Sequence, residues 1–216
     1  MGHRPNPHER QAAKLKRKKA SRAPYDRVLI VCEGTKTEPQ YFTEIKSTHR
    51  LHTANVCIVP SHLGTSPRQV VEAALERFHQ DPNYDRLFVV FDRDSHTNYH
   101  QALDLVDAKN KKIRNKDKVA VEVSAIVSNP CFELWLILHF EDLRHLISRQ
   151  DAYTKIKQYI PDYNKSAPGY YSKTKHLTRT AIDRGKIFLS CSPRDDTECF
   201  TFVGALVKLL LSFSRD

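Results

Sequence analysis

The sequence has no long apolar run. No stretch approaches the roughly 18 consecutive apolar residues that a helix needs to cross a bilayer, so no helical membrane span and no membrane partner are expected. The opening Met1-Gly2-His3-Arg4-Pro5 lacks an apolar signal-peptide core, and the expected location is cytoplasmic. Cys-x-x-Cys pairs are also missing. The five cysteines (Cys32, Cys57, Cys131, Cys191, Cys199) are an odd set, three of them inside apolar runs. That pattern predicts buried free thiols of a reducing compartment rather than disulfides or a cysteine metal site. No Gly-x-x-x-x-Gly-Lys-[Ser/Thr] phosphate loop occurs, so the chain is not expected to hydrolyse ATP itself. No internal repeat is found.

What is present begins with charge. The chain has 216 residues and a formal charge of +10. Residues 1–27 hold nine Lys/Arg against two acids, Glu9 and Asp26, and so carry +7 of that charge. The basicity belongs largely to a tail, not to the folded body. A basic tail suits a phosphate polymer through counterion release; the plainer alternative is a solvated arm that binds nothing specific. Residues 1–24 lack apolar periodicity and predict a disordered or weakly helical segment. The rest, 40% hydrophobic over the whole chain, is enough for one large domain or a domain with an appendage.

Two acidic strand ends carry most of the information. Arg27-Val28-Leu29-Ile30-Val31-Cys32 stops on Glu33-Gly34, and Leu87-Phe88-Val89-Val90-Phe91 stops on Asp92-Arg93-Asp94. Continuous apolar runs of this length predict strands buried on both faces, as in a parallel sheet. Ligand sites of open α/β sheets lie just beyond the carboxyl ends of such strands. If the two strands are neighbours, Glu33, Asp92 and Asp94 converge. Clustered carboxylates repel unless a cation sits among them, and hard oxygen ligands select Mg²⁺ or Mn²⁺. Residues i and i+2 of an extended segment point the same way, so Asp92 and Asp94 can face one metal while Arg93 points elsewhere.

Strands are expected at 27–32, 55–59, 86–91 and 118–123, alternating with helices at 39–48, 67–79 and 97–112. This order predicts an α/β fold with a mostly parallel four-stranded sheet. The remainder reads as a helical extension, with helices near 148–160, 175–189 and 195–212 and a Pro/Gly/Tyr loop from Tyr163 to Tyr171. Three regions follow: a tail (1–24), an α/β core (25–127) and a helical extension packed on it (128–216).

A strand ending in Glu-Gly followed by one ending in Asp-x-Asp resembles the Toprim fold of topoisomerases, bacterial primases and several nucleases. The wider wording is more specific. Val31-Cys32-Glu33-Gly34-Thr35-Lys36-Thr37-Glu38-Pro39-Gln40-Tyr41-Phe42 is similar to the opening motif of the RloB-like family. Phe91-Asp92-Arg93-Asp94 sits where that family has its Asp-x-Asp, and Ser128-Asn129-Pro130-Cys131-Phe132-Glu133-Leu134-Trp135 matches its third motif. The resemblance covers roughly residues 25–215. It implies a Toprim-like core, a nuclease role in bacterial defence against phage, and a separately encoded ATPase partner.

The residue chemistry agrees. Phosphodiester hydrolysis needs a divalent ion to activate water and stabilise the leaving oxygen. Asp92 and Asp94 are the first choice as ligands; Glu33 is a further ligand or a general base. For all three the plain alternative is strand-end solvation or capping. Gly34 permits a close phosphate or a tight turn, and Lys36, Arg93 and Asn129 are the other candidate phosphate or nucleic-acid contacts. Asn129 is also a potential helix cap. Glu38 reads as a helix-start residue favoured by the macrodipole. Glu133 lies in an apolar stretch, where an ionised carboxylate must be paired or metal-bound: it is either a metal ligand or half of a salt bridge. His96 and His100 read as a surface pair, and His139 and Trp135 as core. Lys165 to Lys173 interleaves aromatic and basic residues, either as a stacking platform for single strands or as a surface loop. Two functions compete: a Mg²⁺-dependent nuclease acting on DNA or RNA, and a non-catalytic subunit that binds nucleic acid or an ATPase. A topoisomerase would need a separate domain with a nucleophilic tyrosine.

Overall fold

The computed structural model describes residues 26–52, 55–93, 97–195 and 197–214. The basic tail (1–24) and the candidates Asp94 and His96 lie outside the described residues.

Strands β1 (Val28–Cys32), β2 (Val56–Pro60), β3 (Arg86–Asp92) and β4 (Glu122–Asn129) run parallel in the order β2-β1-β3-β4. A two-residue strand, β5 (Phe200–Thr201), pairs antiparallel with the end of β4. The sheet is therefore five-stranded and mixed where four mostly parallel strands were expected. β1 is buried throughout, and so is β3 beyond Arg86. Helices cover both faces of these central strands, which is why their sequences are continuous apolar runs and not alternating ones.

Helix α1 (Thr37–Thr48) follows β1 and packs on β1 and β2. Helix α2 (Pro67–Gln80) opens with a capping box between Ser66 and Gln69 and packs on β1, β3 and the next helix, α3 (Tyr99–Lys109). After β4 the chain forms a short, fully buried helix, α4 (Glu133–Ile137), then α5 (Arg149–Tyr159), α6 (Tyr170–Thr174), α7 (Thr178–Gly185) and, past β5, α8 (Val203–Leu211). Trp135 of α4 is fully buried, and a Cβ on Gly204 of α8 would stand 3.0 Å from its ring, so the glycine eases the close approach of these helices.

The reading of 118–123 as a strand is corrected. Lys118 adopts positive φ and Ala120 only bridges to Arg114, so residues 118–121 lie outside the strand, and β4 runs from Glu122 to Asn129, sharing only its first two residues with the expected one. Ser128 and Asn129 accordingly cap no helix. Their polar groups are satisfied across β5: Ser128 Oγ lies 2.8 Å from Thr201 Oγ1, and Asn129 Nδ2 donates to the Glu198 carbonyl at 2.6 Å. The five cysteines are free, as expected, but only Cys32, Cys131 and Cys199 are buried; Cys57 and Cys191 are half-buried. Among the described residues no helix is long and apolar enough to cross a membrane.

Candidate functional site: an acidic cleft at the sheet's carboxyl end

β1 and β3 are neighbours, so their acidic ends meet. The Glu33 amide donates to the Val90 carbonyl at 2.8 Å, carrying the β1–β3 pairing one residue past the strand. The Glu33 carboxylate in turn accepts the Asp92 backbone N–H at 2.9 Å. Two further carboxylates join them. Glu38 enters from the first turn of α1 and Glu133 from the start of α4, and all four line one cleft of about 230 Å³. A Cβ on Gly34 would lie 2.6 Å from Glu38 Oε2, so the glycine admits that carboxylate to the cleft.

The opposite wall is basic and comes from the region after β4. Arg149, at the start of α5, pairs with Asp92 at 3.4 Å. Lys165 pairs with Glu133 at 3.2 Å, and the Tyr163 hydroxyl donates to the same carboxylate at 2.9 Å. The backbone beneath Lys165 is pinned. Thr37 Oγ1 donates to the Lys165 carbonyl at 2.7 Å, and the amides of Gly169 and Ser172 both donate to the Glu44 carboxylate. Lys36 is exposed at the rim.

These surroundings separate the carboxylates electrically. Burial pushes Glu38 up to about 7, with the charges of Glu33 and Glu133 adding to the effect. Burial also raises Asp92 well above the usual carboxylate range, helped by Glu38, Glu133 and Glu33 and opposed by Arg149. Glu133 goes the other way. Burial disfavours its charge, but Lys165 and hydrogen bonds from Cys131, its own backbone and Tyr163 outweigh that and hold it ionised. Of the two alternatives for Glu133, the salt bridge is present, to Lys165, and the paired carboxylate lines the cleft.

Three expectations do not match the geometry. The Arg93 guanidinium lies over the Tyr99 ring, 4.1 Å from its centroid, outside the cleft. Asn129 is turned to β5. The aromatics of the Lys165–Lys173 stretch offer no stacking platform, because Tyr170 and Tyr171 are buried, the first bonded to Asn164 and the second to His49. His139 is a satisfied core histidine, its Nδ1 3.0 Å from the Trp135 carbonyl. Sequence reasoning overlooked Arg149 and placed Lys165 only in a loop of undecided role. No local pattern marks either one, since each is defined by a partner far away in sequence. Glu38 did carry a signal, its place beside the Glu-Gly motif. The helix-start role expected for it is seen in its place, since Glu38 stands in the first turn of α1, where the macrodipole favours a carboxylate.

The donor chemistry of the cleft fits a hard divalent cation. Four carboxylates line the cleft together, and burial and their mutual repulsion push two of them toward protonation. Among the described residues no three acidic, histidine or cysteine side chains converge closely enough to hold an ion without adjustment.

A family profile described as RloB-like protein matches residues 28–210. No curated protein and no solved structure matches the chain.

Proposed function

The chain belongs to the RloB-like family, and from that premise we propose that the cleft is the active centre of a Mg²⁺-dependent nuclease with a Toprim-like core, acting in bacterial defence against phage. The observation that carries this reading is the meeting of Glu33 and Asp92 at adjacent strand ends, with Glu38 and Glu133 beside them. Glu33, Asp92, Glu133 and Asp94 are the proposed ligands of Mg²⁺ or Mn²⁺. When bound, the ion supplies an activated water and charge stabilisation at the leaving oxygen. The protein's own part is positional. The Asp92 amide fixes the Glu33 carboxylate, and Tyr163 fixes Glu133. Glu38, poised near neutrality, can take or return a proton at its carboxyl oxygen. Gly34 and Lys36, which line the cleft, are the proposed phosphate contacts. The basic tail is proposed to add affinity for DNA or RNA, and a separately encoded ATPase is proposed as partner.

One observation favours a second reading. Asp92 and Glu133 already have internal counter-charges in Arg149 and Lys165, as they would in a non-catalytic subunit that keeps the cleft only as structure. Cleavage of plasmid DNA, single-stranded DNA and total tRNA, with Mg²⁺, Mn²⁺ or EDTA, separates the two. The nuclease reading expects metal-dependent cutting that Asp92→Ala abolishes in a folded protein. Cutting unchanged in Asp92→Ala, or no cutting with intact nucleic-acid binding, would favour the second.

A further inference from the structure

We propose that Arg149 and Lys165 form the phosphate-binding half of the cleft. In the metal-free protein they stand in for the divalent ion on Asp92 and Glu133; when the ion binds they are released to hold the nucleic-acid phosphodiester. This rests on the reading of the cleft as a metal-dependent nuclease centre.

The two pairs are unequal in a way that identifies the mobile partner. The Asp92 and Glu133 side chains are 10% and 2% exposed, whereas Arg149 and Lys165 are 39% and 47% exposed. The carboxylates are set in packed strand and helix ends, while the cationic heads reach in from solvent on long stems. Their contacts, 3.4 and 3.2 Å, are looser than the roughly 2.7–2.9 Å of a good charge-assisted bond. Elsewhere this chain makes such bonds, as between Lys155 and Glu141 at 2.9 Å. The stems are anchored independently of the heads: Arg149 lies in the first turn of α5, and the Lys165 backbone is tied to Thr37. Loss of the carboxylate partner therefore leaves both cations at the cleft.

Charge then dictates an order. With its carboxylates ionised, the cleft has four negative groups against three cations, Arg149, Lys165 and Lys36, and repels a polyanion. One divalent ion reverses that sign. It also takes the carboxylates that pair with Arg149 and Lys165, leaving a planar guanidinium fork and an ammonium on the cleft's basic wall, two groups suited to phosphate oxygens. Metal should bind first and phosphodiester second, with the region after β4 supplying the substrate contacts and β1, β3, α1 and α4 supplying the metal side.

Binding, not turnover, tests this. Mn²⁺ uptake by the full chain is measured by titration calorimetry. Binding of phosphorothioate 20-mers of DNA and of RNA, which resist cutting, is measured with Mn²⁺ and with EDTA. The wild type should take up Mn²⁺ and bind one of the oligonucleotides more tightly when Mn²⁺ is present; the 20-mer that gains names the substrate. Lys165→Gln and Arg149→Gln should each bind Mn²⁺ several-fold more tightly, because a competitor for the carboxylate is gone. Each should lose about tenfold of the Mn²⁺-dependent oligonucleotide affinity, as removal of a charged hydrogen bond predicts. These opposite signs cannot come from a merely damaged fold, which weakens both. Variants that bind Mn²⁺ no more tightly than wild type, or that keep the Mn²⁺-dependent gain, would overturn the inference alone, as would a wild type that binds Mn²⁺ without any gain. A wild type that takes up no Mn²⁺ would remove the metal-centre reading as well.

Discussion

Glu38 shows how the crowding of carboxylates reaches stability through a single residue. Its carboxyl titrates near 7 in the folded protein against 4.5 unperturbed. Below about pH 4.5 it is protonated in both states, and its contribution to stability is fully present. As pH rises through about 7 the folded state is forced to charge it, and that contribution is lost. Asp92, raised for the same reason, acts with the same sign. Glu133 has the opposite sign: its lowered value stabilises the fold above the usual carboxylate range and fails only at acid pH below it. Between about pH 5 and pH 8 the first two therefore dominate. Metal-free protein should melt several degrees lower at pH 8 than at pH 5, taking about 2–4 °C per kcal/mol for a chain of this size. Glu38→Gln should flatten a large part of that slope. Melts of the two proteins across the range, in EDTA, make the comparison; parallel slopes for both would show that Glu38 is not the group being forced to charge.

At the scale of elements, β4 and β5 explain both what was legible in the sequence and what was not. β1 and β3 could be read because each is central and covered on both faces, so burial alone writes a continuous apolar run ending at the acids. The acidic ends of the cleft were legible with them. β4 was misplaced because its last turn toward the site is polar, Ser128 and Asn129, and those polar groups are satisfied by Thr201 and Glu198, some seventy residues onward. Arg149 and Lys165 escaped for the same reason, since a cation across a cleft leaves no periodicity behind. The placement of Asn129 has a measurable consequence. Asn129→Ala should destabilise the protein by about 1 kcal/mol by removing the hydrogen bond to the Glu198 carbonyl, while Mn²⁺ uptake and oligonucleotide affinity stay at wild-type values. Thermal melts read beside the calorimetric titration decide it. Lost oligonucleotide affinity at an unchanged melting temperature would return Asn129 to the role of a phosphate contact.

At the scale of the whole molecule, charge is split between two places that would act on a nucleic acid at different ranges. Most of the formal +10 lies in residues 1–27, while the remaining 189 residues carry only +3 and set four carboxylates together in the cleft at the sheet's carboxyl end. A tail of that charge binds phosphates with little regard to sequence and with a steep dependence on salt, each neutralised phosphate contributing roughly 0.7–0.9 to the slope of log K against log salt. The cleft's contribution, by contrast, should depend on divalent metal and only weakly on monovalent salt, because its charges are partly buried and close together. The two contributions are therefore separable in one protein. Replacing Lys16, Arg17, Lys18 and Lys19 together with alanine should lower the salt slope by up to about 3 and weaken binding in EDTA. It should leave the ratio of affinities with and without Mn²⁺ unchanged. Salt titrations of oligonucleotide binding, run with Mn²⁺ and with EDTA, measure both quantities. An unchanged salt slope would make the tail a bystander. A collapse of the Mn²⁺ ratio would mean that the tail reaches into the cleft and takes part in the same binding event.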